Sequence, residues 1–169
     1  MDYNVQQGLT QCTTSGLLTA TGAVTTYDTT VTIVYSIKGK VATKTAITTG
    51  ATVTTDYNTA LAFPALVGGA SVAGAYGNGA VAVWGLISGG TVKVVLGPSE
   101  PLDVAGRFVL APQFPGIPDG FAPFAYQVLK AGATASATAI VFGTSNWNAT
   151  GYTNVIVNCT VLPDRPQVS

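Results

Sequence analysis

"AVAVWGLISGGTVKVVLG", residues Ala80 to Gly97, decides how the chain folds. Val81, Val83 and Gly85 alternate with Ala82, Trp84 and Leu86, the period of two that sends successive side chains to opposite faces of a strand. Gly89-Gly90 then permits positive φ at two adjacent positions, as a tight hairpin turn requires. Thr91 to Leu96 returns as the partner strand.

The same pattern extends in both directions. In "TTVTIVYSIKG" (Thr29 to Gly39), Val31, Ile33, Tyr35 and Ile37 point one way, and Thr30, Thr32, Val34, Ser36 and Lys38 the other. Lys38-Gly39-Lys40 reads as a turn into "KVATKTAIT", with Val41, Thr43, Thr45 and Ile47 on one face. Beyond the central hairpin come Pro98, Pro101, Pro112, Pro115 and Pro118. Proline cannot donate to a ladder, so this connector is loop or edge, with one short strand expected at Arg107 to Leu110. "FAPFAYQVLKAG" (Phe121 to Gly132) reads as a strand with Phe124, Tyr126, Val128 and Lys130 on one side. "SATAIVFG" and "YTNVIVNCTVL" complete the set, the latter with Val155, Val157, Cys159 and Val161 on one face. About eight to ten short strands separated by turn signals predict an all-β fold, an antiparallel β-sandwich or a jelly-roll-like barrel. No composition break or repeat divides the chain, so residues 1–169 form one domain, with residues 1–15 an extended N-terminal arm and a candidate for interaction.

Charged residues make up 8% of the 169 and the formal net charge is zero, against about 25% charged in ordinary soluble proteins. This argues against nucleic acid as a partner, because phosphate binding needs clustered Lys and Arg. The one sequence cluster, Lys38, Lys40 and Lys44, lies in the expected hairpin, where lysine protects edges and maintains solubility. So weakly charged a surface suits a chain that buries much of it in an assembly. Asn58 to Val92 carries no charge, yet Pro64 and repeated glycines break it into strands and turns, so no membrane span is expected. Met1-Asp2-Tyr3-Asn4 opens without a basic or apolar leader, which implies synthesis in the cytoplasm and free thiols at Cys12 and Cys159.

No catalytic constellation is visible. The chain has no histidine, which removes the commonest general base and metal ligand. The seven acids are scattered; Glu100 and Asp103 are close in sequence but fall in the proline-rich connector. Two cysteines without histidine make no common zinc site. "GAYGNGA" (Gly74 to Ala80) lacks the Lys-Ser/Thr ending and the following helix of a phosphate loop. No enzyme activity, metal or cofactor is therefore expected. Asn148-Ala149-Thr150 and Asn158-Cys159-Thr160 match the glycosylation triplet but read as turn and strand chemistry.

The order of "YSIKGKVATKTAITTG", "TTDYNTALAFPALVGG", "AVAVWGLISGGTVKVVLG", "IPDGFAPFAYQVLKAG", "FGTSNWNATGYTNVIVN" and "LPDRPQ" resembles a group of small virion structural proteins of tailed bacteriophages. The resemblance spans roughly residues 29 to 167 and implies a capsid decoration, or cement, protein. It further implies a β-rich homotrimer on the capsid surface that binds the major capsid protein, with no enzyme activity and no cofactor. Trp84, Phe121, Phe124, Tyr126 and Trp147 are then candidates either for interface anchors or for core, and Arg165 for an inter-subunit ion pair. The alternatives are a tail-fibre or adhesin-type receptor-binding module, with Trp147 in "TSNWNAT" as a glycan platform, and a tail-tube or head–tail connector subunit.

Overall fold

The computed structural model describes residues 9–20, 25–67, 77–131, 139–146 and 152–167. Among them are thirteen strands and no helix, and every strand ladder is antiparallel. The fold is all-β, as the alternating segments predict. Nine strands have three or more residues; of the other four, two join larger sheets and two pair with each other.

The predicted hairpin is the centre. Strand β8 (Asn78–Leu86) pairs with β11 (Ala122–Ala131) from Leu86↔Ala122 to Gly79↔Lys130. On the other edge of β8 lie β9 (Val92–Leu96) and β10 (Glu100–Pro101), and β13 (Tyr152–Asn158) lies on the other edge of β11. The loop between β8 and β9 has Gly89 and Gly90 at φ 87° and 74°, the left-handed backbone that glycine adopts without strain. Ala80, Ala82, Trp84 and Leu86 face one core, Val81 and Val83 the other, and all six are fully buried. Both faces of this strand are therefore covered.

Two small sheets lie over the first face. One runs β1 (Gln11–Cys12), β4 (Ile33–Ile37), β5 (Lys40–Lys44), and the other β2 (Leu18–Ala20), β3 (Tyr27–Thr29), β6 (Ile47–Ala51). They supply Cys12, Ile33, Tyr35, Leu18 and Tyr27 to the shared core. A further pair, β7 (Ala65–Leu66) with β12 (Ile140–Val141), adds Leu66 and Ile140. This layering is that of a β-sandwich. The second face is covered by connecting segments, through Tyr57, Phe108, Phe114, Phe121 and Leu162.

Several local expectations need correction. The run from Thr29 to Ile37 is two strands in different sheets, and Val31 is 38% exposed at the bend between them. The run from Lys40 to Ile47 divides in the same way, with Val41 68% exposed. Alternation continues through such a change of sheet and so conceals it. Side chains bridge the β3–β6 irregularity: Ile47 N donates to Thr29 Oγ1 at 2.9 Å and Gly50 N to Asp28 Oδ1 at 2.8 Å. In β11 a bulge lies between Pro123 and Ala125. Phe124 and Ala125 consequently share the first core, while Tyr126 and Val128 face the second. Pro123 lacks the N–H that a regular ladder would use, which makes it a natural bulge position. Arg107 to Leu110 is not a strand; the connector pairs with the sheet at Glu100–Pro101 instead. Val161 is 71% exposed, whereas Val155, Val157 and Cys159 pack on the second core. In the expected arm, residues 1–8 lie outside the described residues, and Gln11–Cys12 pair with β4.

One polar chain crosses the central sheet. Trp84 Nε1 donates to Gln127 Oε1 at 3.0 Å, and Gln127 Nε2 donates to Asn154 Oδ1 at 2.7 Å. Gln127 is fully buried, so removing its amide deprives both neighbours of a partner in a dry setting. Gln127→Ala is expected to lower unfolding free energy by about 2–4 kcal/mol, combining the lost bonds with a cavity. Chemical denaturation measures it, and Gln127→Met, which restores volume without the amide, should recover part of the loss.

Candidate functional site

Four of the aromatic candidates are core. Trp84, Phe124 and Tyr126 are fully buried and Phe121 is 2% exposed. Trp84 meets Tyr27 edge-on with ring centres 4.5 Å apart, and Phe142 at 5.6 Å. Tyr126 meets Phe114 edge-on at 5.1 Å, and its hydroxyl oxygen accepts a hydrogen bond from Gln167 N at 3.1 Å. Their places on or beside the central strands put these side chains inside the chain, away from its surface. Trp147 and Asn148 lie outside the described residues.

Arg165 is exposed and lines a groove of about 710 Å³. Arg107 and Phe108 of the connector also line it, with Lys130 of β11 and Thr153 of β13. Ala105, Ala111, Pro112 and Pro166 complete it with apolar surface. Lys130 Nζ sits 5.3 Å from the centre of the Phe108 ring, within cation–π range. The ring is seated over Gly79, where a Cβ would come within 2.6 Å of it. Sequence order conceals this gathering of cations, because the three come from separate segments. The one signal available was scarcity, since Arg107 and Arg165 are the chain's two arginines.

A second groove, of about 800 Å³, opens beside the β4–β5 hairpin between Tyr35, Tyr57, Lys40 and Ser88. Lys38 pairs there with Asp119 at 3.1 Å, both largely exposed, an arrangement of small energetic value. Strand β5 is an edge of its sheet and carries Lys40 and Lys44, charges that discourage edge-to-edge pairing. Large apolar side chains stand out in solvent: Val41, Leu61, Val104, Val109, Leu110 and Val161 are each 60–71% exposed.

Much of the polar chemistry elsewhere holds the backbone. Asp56 is 5% exposed. Its Oδ1 accepts from Asn58 N, Thr59 N and Thr59 Oγ1, and its Oδ2 from Leu96 N at 2.7 Å. It thus binds the turn after residue 55 to β9. Asp56→Ala is expected to destabilise by about 2–4 kcal/mol, since these donors lose a charged acceptor; a shift in the urea midpoint measures the effect. Asn158 accepts from Leu18 N at 2.6 Å and donates to Leu18 O at 3.3 Å, so its amide acts as a strand partner to β2.

The thiols are both free. Burial pushes Cys12 from 9.0 up to about 12, with the neighbouring Cys159 adding to the rise, and burial also raises Cys159. Burial likewise moves Tyr27 from 10.0 to about 12. A raised acid keeps its stabilising contribution below its unfolded value and loses it as pH climbs towards its folded value. The melting temperature should therefore hold up to pH 9 and decline between pH 9 and 12. Cys12→Ala and Tyr27→Phe should each flatten that decline. At pH 8, Cys12 should react with a disulfide reagent only after unfolding.

No protein-family model, curated protein or solved structure matches this chain.

Proposed function

We propose that the chain is a structural protein of a tailed-bacteriophage virion, of the capsid decoration type. In this reading it binds the assembled head through the major capsid protein, closes into a homotrimer and stabilises the shell. The observation that supports this most directly is the set of exposed apolar side chains, Val41, Leu61, Val104, Val109, Leu110 and Val161, on a chain of 8% charged residues. A ligand that binds the assembled state and not its free subunits stabilises that state by mass action and needs no active site. Heterologous contacts, in which one patch of each copy meets a different patch of the next, close a ring when the rotation closes. The resemblance of residues 29–167 to small virion proteins points the same way.

Copy number tests the reading. Quantitative mass spectrometry of purified particles, scaled to the major capsid protein, should find the chain at a lattice stoichiometry, on the order of hundreds per head, since a shell repeats its sites by symmetry. A handful per particle would transfer it to the tail and favour receptor binding. Absence from particles would overturn the virion reading. Leu110→Lys, at an exposed position, should leave the melting temperature within about 2 °C yet lower occupancy on the shell.

A further inference from the structure

We propose that the groove formed by Arg107, Phe108, Lys130, Thr153 and Arg165 recognises a single carboxylate, presented by an acidic side chain on an apolar segment of a protein partner. The proposal does not depend on the virion reading, because it concerns the chemistry that the groove accepts.

Three of the chain's seven cations converge here, and no acidic residue lines the groove among the described residues. Neither Arg107 nor Arg165 forms an ion pair among the described residues, although Asp103 lies close enough to act electrostatically on Arg107 and Lys130. Guanidinium is the side chain best matched to a carboxylate, because its parallel N–H groups meet both oxygens. The cations are also positioned. Lys130 lies over the Phe108 ring. Arg165 precedes Pro166, which is buried, and Gln167, whose N–H is bonded to Tyr126.

The charge balance selects the ligand. Asp103 sits at the rim, its Oδ1 accepting from Ala105 N and Arg107 N at 2.8 Å each, and Asp164 adjoins Arg165 in the chain. Three cations with Asp103 acting on two of them leave the groove with a small net positive charge. That suits a monoanion; a polyanion such as nucleic acid draws its affinity from many phosphate contacts, which three cations in one groove do not supply. The rim selects the source. Val104, Val109 and Leu110, each 60–69% exposed, flank the groove residues 105–108 along one segment. A small inorganic anion would leave them in water, whereas a protein segment carrying the carboxylate would cover them.

The test is a titration of the full chain, followed by its amide resonances, with three probes at matched ionic strength: acetyl-Val-Glu-Val-amide, acetyl-Val-Gln-Val-amide and inorganic phosphate. The glutamate peptide should shift residues 105–108, 111, 153, 165 and 167 with a millimolar dissociation constant. The glutamine peptide should bind about tenfold more weakly, the value of one charge-assisted hydrogen-bonded contact. Arg107→Gln and Arg165→Gln, both at exposed positions, should each weaken the glutamate peptide about fivefold or more while leaving the melting temperature unchanged. Equal binding of the glutamine peptide, insensitivity to both substitutions, or the absence of shifts at the groove would each overturn the proposal. Phosphate producing the same shifts at equal or lower concentration would also overturn it, reducing the groove to an inorganic-anion site.

Discussion

A strand pair that is apolar on both faces must be covered twice. Strands β8 and β11 contribute Trp84, Leu86, Phe124 and Leu129 to one core, and Val81, Val83, Tyr126 and Val128 to the other. Leaving either face in water would forfeit about 1.5–3 kcal/mol for each large side chain. The rest of the chain answers this demand. On the first face the cover is two small sheets from the N-terminal part, where β-branched residues are dense. On the second it is the proline-rich connector, which brings aromatic rings instead of ladders, with Leu162 of the C-terminal tail and Tyr57 beside it. Glycine permits that second cover to lie close: at Gly85 a Cβ would overlap the Phe121 ring, and at Gly79 the Phe108 ring.

Period two is a statement about one strand's two faces, and there the sequence was readable. The assignments of Val81 and Val83 against Ala82, Trp84 and Leu86 agree with the two cores, and Gly89-Gly90 has the backbone that its composition implied. Where a strand changes sheet, the alternation persists and the change is invisible, as at Thr29 to Ile33. Where a bulge intervenes, the phase flips, as at Phe124. Pro123 was the available cue, because a proline inside a strand pattern has to be accommodated by an edge or a bulge. The expected site was least readable for a related reason. Large aromatics on a central strand are strong core residues, so Trp84, Phe124 and Tyr126 carry packing and leave the surface to others.

The polar inventory has the same logic. In a chain with so few charged residues, several polar groups replace a missing piece of backbone pairing. Asp56 serves the turn beside β9, Asp28 and Thr29 serve the β3–β6 irregularity, and Asn158 joins β13 to β2. Gln127 links Trp84 to Asn154 across three strands. Asn158 joins two sheets, Asp28 and Thr29 bridge an irregularity within one, and Asp56 holds a turn, and at each a side-chain amide, hydroxyl or carboxylate satisfies what a continuous ladder would have satisfied. Asp103 does similar work in its own loop, binding Ala105 N and Arg107 N.

Arg107 and Arg165 stand apart from that pattern, since neither guanidinium closes a gap in the sheets. Their setting is nonetheless tied to the core. Phe108 reaches the second core over Gly79, and Lys130, near the end of β11, lies beside it. A side chain at position 79 would lift the ring, and with it the floor on which the Lys130 ammonium rests. The same absence of a Cβ that lets the connector cover the central sheet thus also sets the depth of the groove. Cationic side chains held by a packed floor lose less rotamer freedom on meeting an anion than lysines on an open hairpin, such as Lys40 and Lys44. That difference in preorganisation, more than the number of charges, separates the Arg107–Lys130–Arg165 groove from the lysine cluster that is conspicuous in the sequence.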